Sequence, residues 1–157
     1  MEPDSFFEWL QATGIATTID QSTMLTGLLS ATHLLGLTLL VGGALVSGLR
    51  MLGVLLPERP HPEIAGTAFR GMTLGLAISV TTGLLLFAAR ATTVAEKGTF
   101  QLKMVLLFSA AVFHFVAYRK VTRQTHVRPL QLQLTGAFAL ALWFGVALAG
   151  SAFILFE

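Results

Sequence analysis

Charge is absent from this sequence over stretches that only a lipid environment explains. None occurs between Asp20 and Arg50, between Arg70 and Arg90, between Lys103 and Arg119, or from Pro129 to Phe156. A bilayer core takes about 20 mostly apolar residues per helix. The third run, MVLLFSAAVFHFVAY, is short. It reaches spanning length when Lys103 is counted inside the helix with its ammonium bent toward the interface. Leu and Ala dominate, which favours helix, and no segment alternates as a strand would. The predicted fold is an all-α bundle of four transmembrane helices, over 24–52, 71–90, 100–119 and 132–156, forming one integral membrane domain over residues 1–157. Composition agrees: 11% of residues are charged, against roughly a quarter in soluble domains, and mean hydropathy is +0.75.

Several chemistries are excluded at once. With no cysteine there is no disulfide, thiolate metal site or thiol nucleophile. Carboxylates occur only at positions 2, 4, 8, 20, 58, 63, 96 and 157, so no acid lies within a span and a carboxylate proton relay is ruled out. No catalytic triad, phosphate-binding loop or dinucleotide fingerprint is present. The net charge of +2 sits mostly in loops, which suits anionic lipid headgroups; the expected partners are the bilayer and other membrane subunits or copies of the chain, with no nucleic acid. The start, MEPDSFFEW, is acidic where a cleaved signal would be basic.

Ahead of the first span, SFFEWLQATGIATTI (5–19) carries Ser5 and Glu8 at capping-box spacing, followed by Phe6, Phe7, Trp9 and Leu10. It is too short and polar to span, and reads as an amphipathic helix lying in the interface or as a frayed tail. Asp20, Ser22 or Thr23 then caps the first span. The loop after that span, LPERPHPEIAG, holds three prolines and is expected to be extended. Arg50, Arg59, Arg70, Arg119, Lys120, Arg123 and Arg128 gather at one end of the bundle, leaving Arg90, Lys97 and Lys103 of the ten basic residues for the other. The positive-inside rule makes the first end cytoplasmic and places both termini outside.

The first span carries a stripe at helical spacing: His33, Gly36, Leu40, Gly43, Ser47, Arg50. Small residues on a stripe admit another helix or a flat cofactor. A polar ring in lipid needs a partner, so His33 points into the bundle. The third span has a second stripe, Lys103, Leu107, Ala110 or Ala111, His114 and Tyr118. Counted from the cytoplasmic markers Arg50 and Arg119 at about 1.5 Å per residue, His33 and Lys103 stand at nearly one height, about 25 Å up. His114 stands only about 7.5 Å up. His33 and His114 are thus too far apart to ligate one haem iron, whereas His33 and Lys103 can line one pocket in the outer leaflet. Candidate guests are a haem with Lys103 on a propionate, a quinone, or a metal at His33. His114 is either a second cofactor contact or a ring satisfied by Ser109, Tyr118 or a backbone carbonyl. His61 and His126 fall in cytoplasmic loops, solvated or forming a metal cluster with His114. Met24 and Met104, with His33, are donors that copper(I) accepts.

Two stretches, "HLLGLTLLVGGALVSGLRMLG" and "FQLKMVLLFSAAVFHF", together with the aromatic amphipathic start, resemble a group of uncharacterised bacterial inner-membrane proteins. More distantly the chain is similar to copper-resistance D-type membrane proteins and four-helix b-type cytochromes. The positions that match are His33, Arg50, Lys103 and His114. Where many such proteins have an acidic residue before the "LR", this chain has Ser47 and Gly48. The resemblance implies an inner-membrane location; the cofactor is left unknown, with haem b and copper as the candidates. The residues and the resemblance together give three expectations: a redox-type or accessory subunit with an outer-leaflet pocket, a structural or assembly subunit without a ligand, and a transporter of copper or a small solute.

Overall fold

The computed structural model describes residues 3–56, 58–59, 61–124 and 127–156. Four of its helices are long and apolar enough to cross a membrane. The first is α3 (Thr23–Met51) and the second α4 (His61–Ala89). The third runs from Gly98 to Thr122 as α6 (Gly98–Phe113), a π-helical turn (His114–Tyr118) and α7 (Arg119–Thr122). The fourth is α8 (Pro129–Phe156). The protein is an all-α, multi-pass membrane protein. Leu35, Leu74, Phe108 and Leu148 all point outward from the bundle, a surface that only acyl chains can solvate.

Two differences from the sequence expectation have plain causes. α4 begins at His61, about ten residues ahead of the charge-free run, so Glu63 through Gly66 are helical rather than extended. Pro62 is compatible with this because a first-turn proline has no intrahelical N–H bond to lose. The leading helix is not continuous over 5–19. It divides into α1 (Pro3–Gln11) and α2 (Gly14–Gln21), with Thr13 capping α2 by accepting from Ala16 N–H. α1 already starts at Pro3, which puts Ser5 inside the helix rather than at its cap. Ser22 is the residue that caps α3, accepting from Leu25 N–H at 3.3 Å.

α1 and α2 close the end of the bundle opposite the basic residues. Gln11 Oε1 accepts from both the backbone N–H and the hydroxyl of Thr92, in the first turn of the short helix α5 (Ala91–Ala95). Asp20 pairs with Arg90 at 3.5 Å. Ala16 and Ile19 are buried while Trp9 and Ile15 are exposed, the two-faced pattern of a helix lying at an interface.

Helix packing follows a chain: α4 on α3, α3 on α8, α8 on α6. The glycines set the closest approaches. A Cβ on Gly75 would stand 2.6 Å from the carbonyl oxygen of Gly36 and 2.8 Å from Leu40 N, so the α3–α4 crossing exists only with glycine on that face. Gly43 is filled by Met72, and Gly136 of α8 meets Gly48 and Met51 in the same way. Gly36 and Gly43 therefore admit a neighbouring helix. α4 and α6 do not close on one another along their length. α4 meets the third span through rings: Phe87 stacks on Phe100 of α6 at 5.0 Å near the end away from the basic residues, and Phe69 stacks on His114 of the π-helical turn at 4.4 Å toward the basic end.

Candidate functional site

Between those two ring stacks lies a cavity of about 40 Å³, walled by His33, Leu37 and Leu40 of α3, Leu76, Ser79 and Val80 of α4, Lys103 and Leu107 of α6, and Val146 and Gly150 of α8. All four spanning helices contribute. The polar contributors are His33, Ser79 and Lys103; the rest of the wall is aliphatic or glycine. The imidazole and the ammonium stand on one storey because α3 and α6 run in the same direction and carry them at matching distances from the basic end.

His33 is held in a defined orientation. Its Nδ1 lies 3.1 Å from Thr82 Oγ1. That hydroxyl already donates to Ile78 O at 2.7 Å, so it accepts from His33, and Nδ1 carries the hydrogen. Gly83 touches the same edge of the ring, 3.1 Å from Cε1 to where its Cβ would be. An alanine there would oblige the imidazole to give by a few tenths of an ångström. In the neutral ring the remaining nitrogen, Nε2, holds a lone pair turned away from α4. Ser79 completes the tie by donating to the backbone carbonyl of His33 at 3.3 Å. Lys103 lies along Gly150: a Cβ at that glycine would be 3.5 Å from both Cε and Nζ. No carboxylate pairs with the Lys103 ammonium among the described residues.

His114 stands elsewhere. It is fully buried on the π-helical turn, stacked on Phe69 and on Tyr118 at 5.5 Å, with Trp143 edge-on at 6.0 Å. Its Nε2 lies 3.1 Å from Thr73 Oγ1, which itself donates to Phe69 O at 2.8 Å; Nε2 is therefore the protonated nitrogen. Nδ1 is buried without a partner among the described residues. The partner is thus Thr73 of α4, and not Ser109, Tyr118 or a carbonyl. Tyr118 instead donates to Ser47. Thr73 and Thr82 are separated by about 13 Å along α4, so His33 and His114 belong to two sites.

Other sequence candidates do not join the cavity. Met24 and Met104 are exposed and line no part of it. Of the proposed cytoplasmic trio, His126 and the side chain of His61 lie outside the described residues. Among the described residues no group of three His, Asp or Glu is placed to hold a metal. Arg50 donates to the carbonyl of Arg59 and ties the end of α3 to the following loop.

Sequence reasoning missed Thr73, Thr82, Ser79 and Gly150. The signal was present in part. Thr73, Ser79 and Thr82 are polar interruptions in an apolar span, and a membrane histidine needs such a partner.

The model of one family covers residues 6–157, nearly the whole chain. The chain belongs to DUF6644, a family of unknown function. No curated protein and no solved structure matches it. The likeness to copper-resistance D-type proteins and b-type cytochromes thus rests on the quoted motifs alone and gains no support from the comparisons.

Proposed function

We propose that this protein is a small accessory subunit of the bacterial inner membrane, of the kind that serves membrane redox chains, and that its working centre is the His33–Lys103 cavity. It binds a guest there and does not turn over a substrate by itself. The observation that carries this reading is the convergence on one cavity, from different helices, of an imidazole nitrogen and an ammonium that has no carboxylate partner among the described residues. Ionisable groups at such depth are costly and are kept where they meet a ligand or a partner. The excess of Lys and Arg at the opposite end supports a cytoplasmic placement of that end, with the cavity in the outer leaflet and both termini outside.

The size of the cavity narrows the guest. Pockets that enclose a cofactor measure on the order of 300 Å³ or more, so about 40 Å³ does not fit a haem between the helices as they stand. A single imidazole beside a cation is also a poor metal site, because a protein ligand set for copper or zinc needs several donors and no neighbouring positive charge. What fits is water, a small anion, or one polar group of a larger molecule. The test is organic extraction of protein purified in mild detergent, with mass spectrometry, absorbance and metal analysis. The expected result is an organic guest at about one per chain in the wild type and its loss from both H33A and K103M. An identical extract from all three proteins would end the proposal.

A second reading has one specific observation behind it. The glycine-lined crossings at Gly36–Gly75 and Gly48–Gly136 bring helices together as tightly as backbones allow, as in a purely structural membrane subunit. H33A that lowers thermal stability and changes nothing else supports that reading. For transport of copper or a solute, by contrast, no spanning helix is unwound at mid-membrane among the described residues, where transporters place their sites.

A further inference from the structure

α4 meets the third span through Phe87–Phe100 above and Phe69–His114 below, and between these two contacts α4 and α6 face one another across the cavity through Leu76, Val80, Lys103 and Leu107. Val80, at the cavity's edge on α4, is exposed on the surface that faces lipid. The opposite walls are closed: Leu40 and Val146 are buried where α3 and α8 pack behind the site. The route this leaves toward His33 and Lys103 is sideways, past Val80.

The hydrogen-bond inventory specifies what that guest presents. With Thr82 donating to Ile78 O, His33 donates to Thr82 through Nδ1–H, and in that tautomer Nε2 is an acceptor. Lys103 offers only donors. One oxygen atom satisfies both if it carries a hydrogen: it donates to His33 Nε2 and accepts from Lys103. A carboxylate or phosphate would meet Lys103 well and oppose the Nε2 lone pair. A carbonyl would leave Nε2 empty, and an ether would do the same. A hydroxyl fits both, and a weakly acidic one fits best, because the ammonium stabilises the charge that builds on its oxygen. About 40 Å³ admits that hydroxyl and one or two waters, since a water needs roughly 10–15 Å³ by this measure. The apolar body of the guest stays in the doorway among Val80, Leu76 and Leu107.

We infer that the His33–Lys103 cavity binds, by lateral access between α4 and α6, a membrane-dissolved molecule through a weakly acidic hydroxyl. This deepens the site reading above and rests on it. Two sources supply such a group, a quinol or other phenol and a protonated long-chain carboxylic acid. The experiment separates them. Decyl-ubiquinol, its dimethyl ether, dodecanoic acid and methyl dodecanoate are each titrated calorimetrically into the protein in lipid nanodiscs. K103M nanodiscs correct for partition into lipid.

The expected result is saturation at one per chain by ubiquinol or by dodecanoic acid, the better binder naming the source. The methylated counterpart binds at least about tenfold more weakly, the loss that goes with leaving a buried acceptor unmet. H33F weakens binding similarly. T82V, which keeps both site residues and frees only the ring's anchor, weakens it about threefold or more while circular dichroism shows an intact helical fold. V80W closes the doorway and slows association at least about tenfold. Methylated probes that bind as tightly as their parents overturn the hydroxyl assignment, and V80W with unchanged association overturns the lateral route. If no probe binds while a guest lost from H33A and K103M still co-purifies, this inference falls and the site reading stands. If the extracts also match, both fall.

Discussion

His33 and His114 hang from α4 by the same device, a threonine hydroxyl that accepts the ring N–H and passes its own hydrogen to a backbone carbonyl one turn back. Their surroundings differ. Around His114 the neighbours are large and flat, Phe69, Tyr118 and Trp143, and they leave no space. Around His33 the neighbours are Gly83 and, across the cavity, Gly150 beside a lysine. One ring has become part of the core; the other keeps a free edge toward a space that a guest can reach. The suspension is common to both rings; the volume and charge on the free side are what differ.

That contrast can be attacked directly. H114A removes a fully buried aromatic ring and is expected to cost about 3 kcal/mol of stability, visible as a large loss of melting temperature in detergent. H33A, half-buried and facing a cavity, is expected to cost about 1 kcal/mol while abolishing guest retention. Equal losses would erase the distinction. The threonines give the next test. T73V leaves an imidazole N–H sealed without an acceptor and should cost about 2 kcal/mol, against about 1 kcal/mol for T82V, whose histidine can turn toward water in the cavity. The gentlest probe is Gly150. Its Cβ would make only ordinary contact with Lys103, so G150A should change stability by less than about 0.5 kcal/mol. G150L should fill the cavity and expel the guest with both polar groups untouched. A G150L protein that still retains its guest would place the binding site elsewhere.

Much of this architecture is written in the distribution of charge. The runs bounded by Asp20, Arg50, Arg70, Arg90, Lys103 and Arg119 gave the spans, because charged side chains stop at the headgroups. Counting rise from Arg50 and Arg119 put His33 and Lys103 on one level and His114 on another, since helix geometry is nearly invariant. Other features depend on who stands opposite, which a single sequence does not state. Thr73 and Thr82 look like ordinary intramembrane threonines bonded to their own helix, and that bond is indeed made; accepting from histidine is a second use of the same oxygen. The early start of α4 was hidden by Pro62, a helix breaker everywhere except in the first turn, where it stands. The size of the cavity depends on Gly150 and on the rotamer of Lys103, and neither leaves a mark in composition or period.

The π-helical turn at His114–Tyr118 bears on how variants of the third span should be read. A π-turn takes up about one residue more than an α-turn, so it acts as a spacer in the angular phase of the helix. Were it to tighten into regular α-helix with no residue lost, everything above it would swing by about 100° relative to the basic end, carrying Lys103 out of the cavity and into the acyl chains. Deleting one residue within 114–118 would do the opposite: the spare residue goes, and Lys103 keeps its bearing. Length changes in that short stretch are thus tolerated in one direction only, and insertions there are the ones that disarm the site.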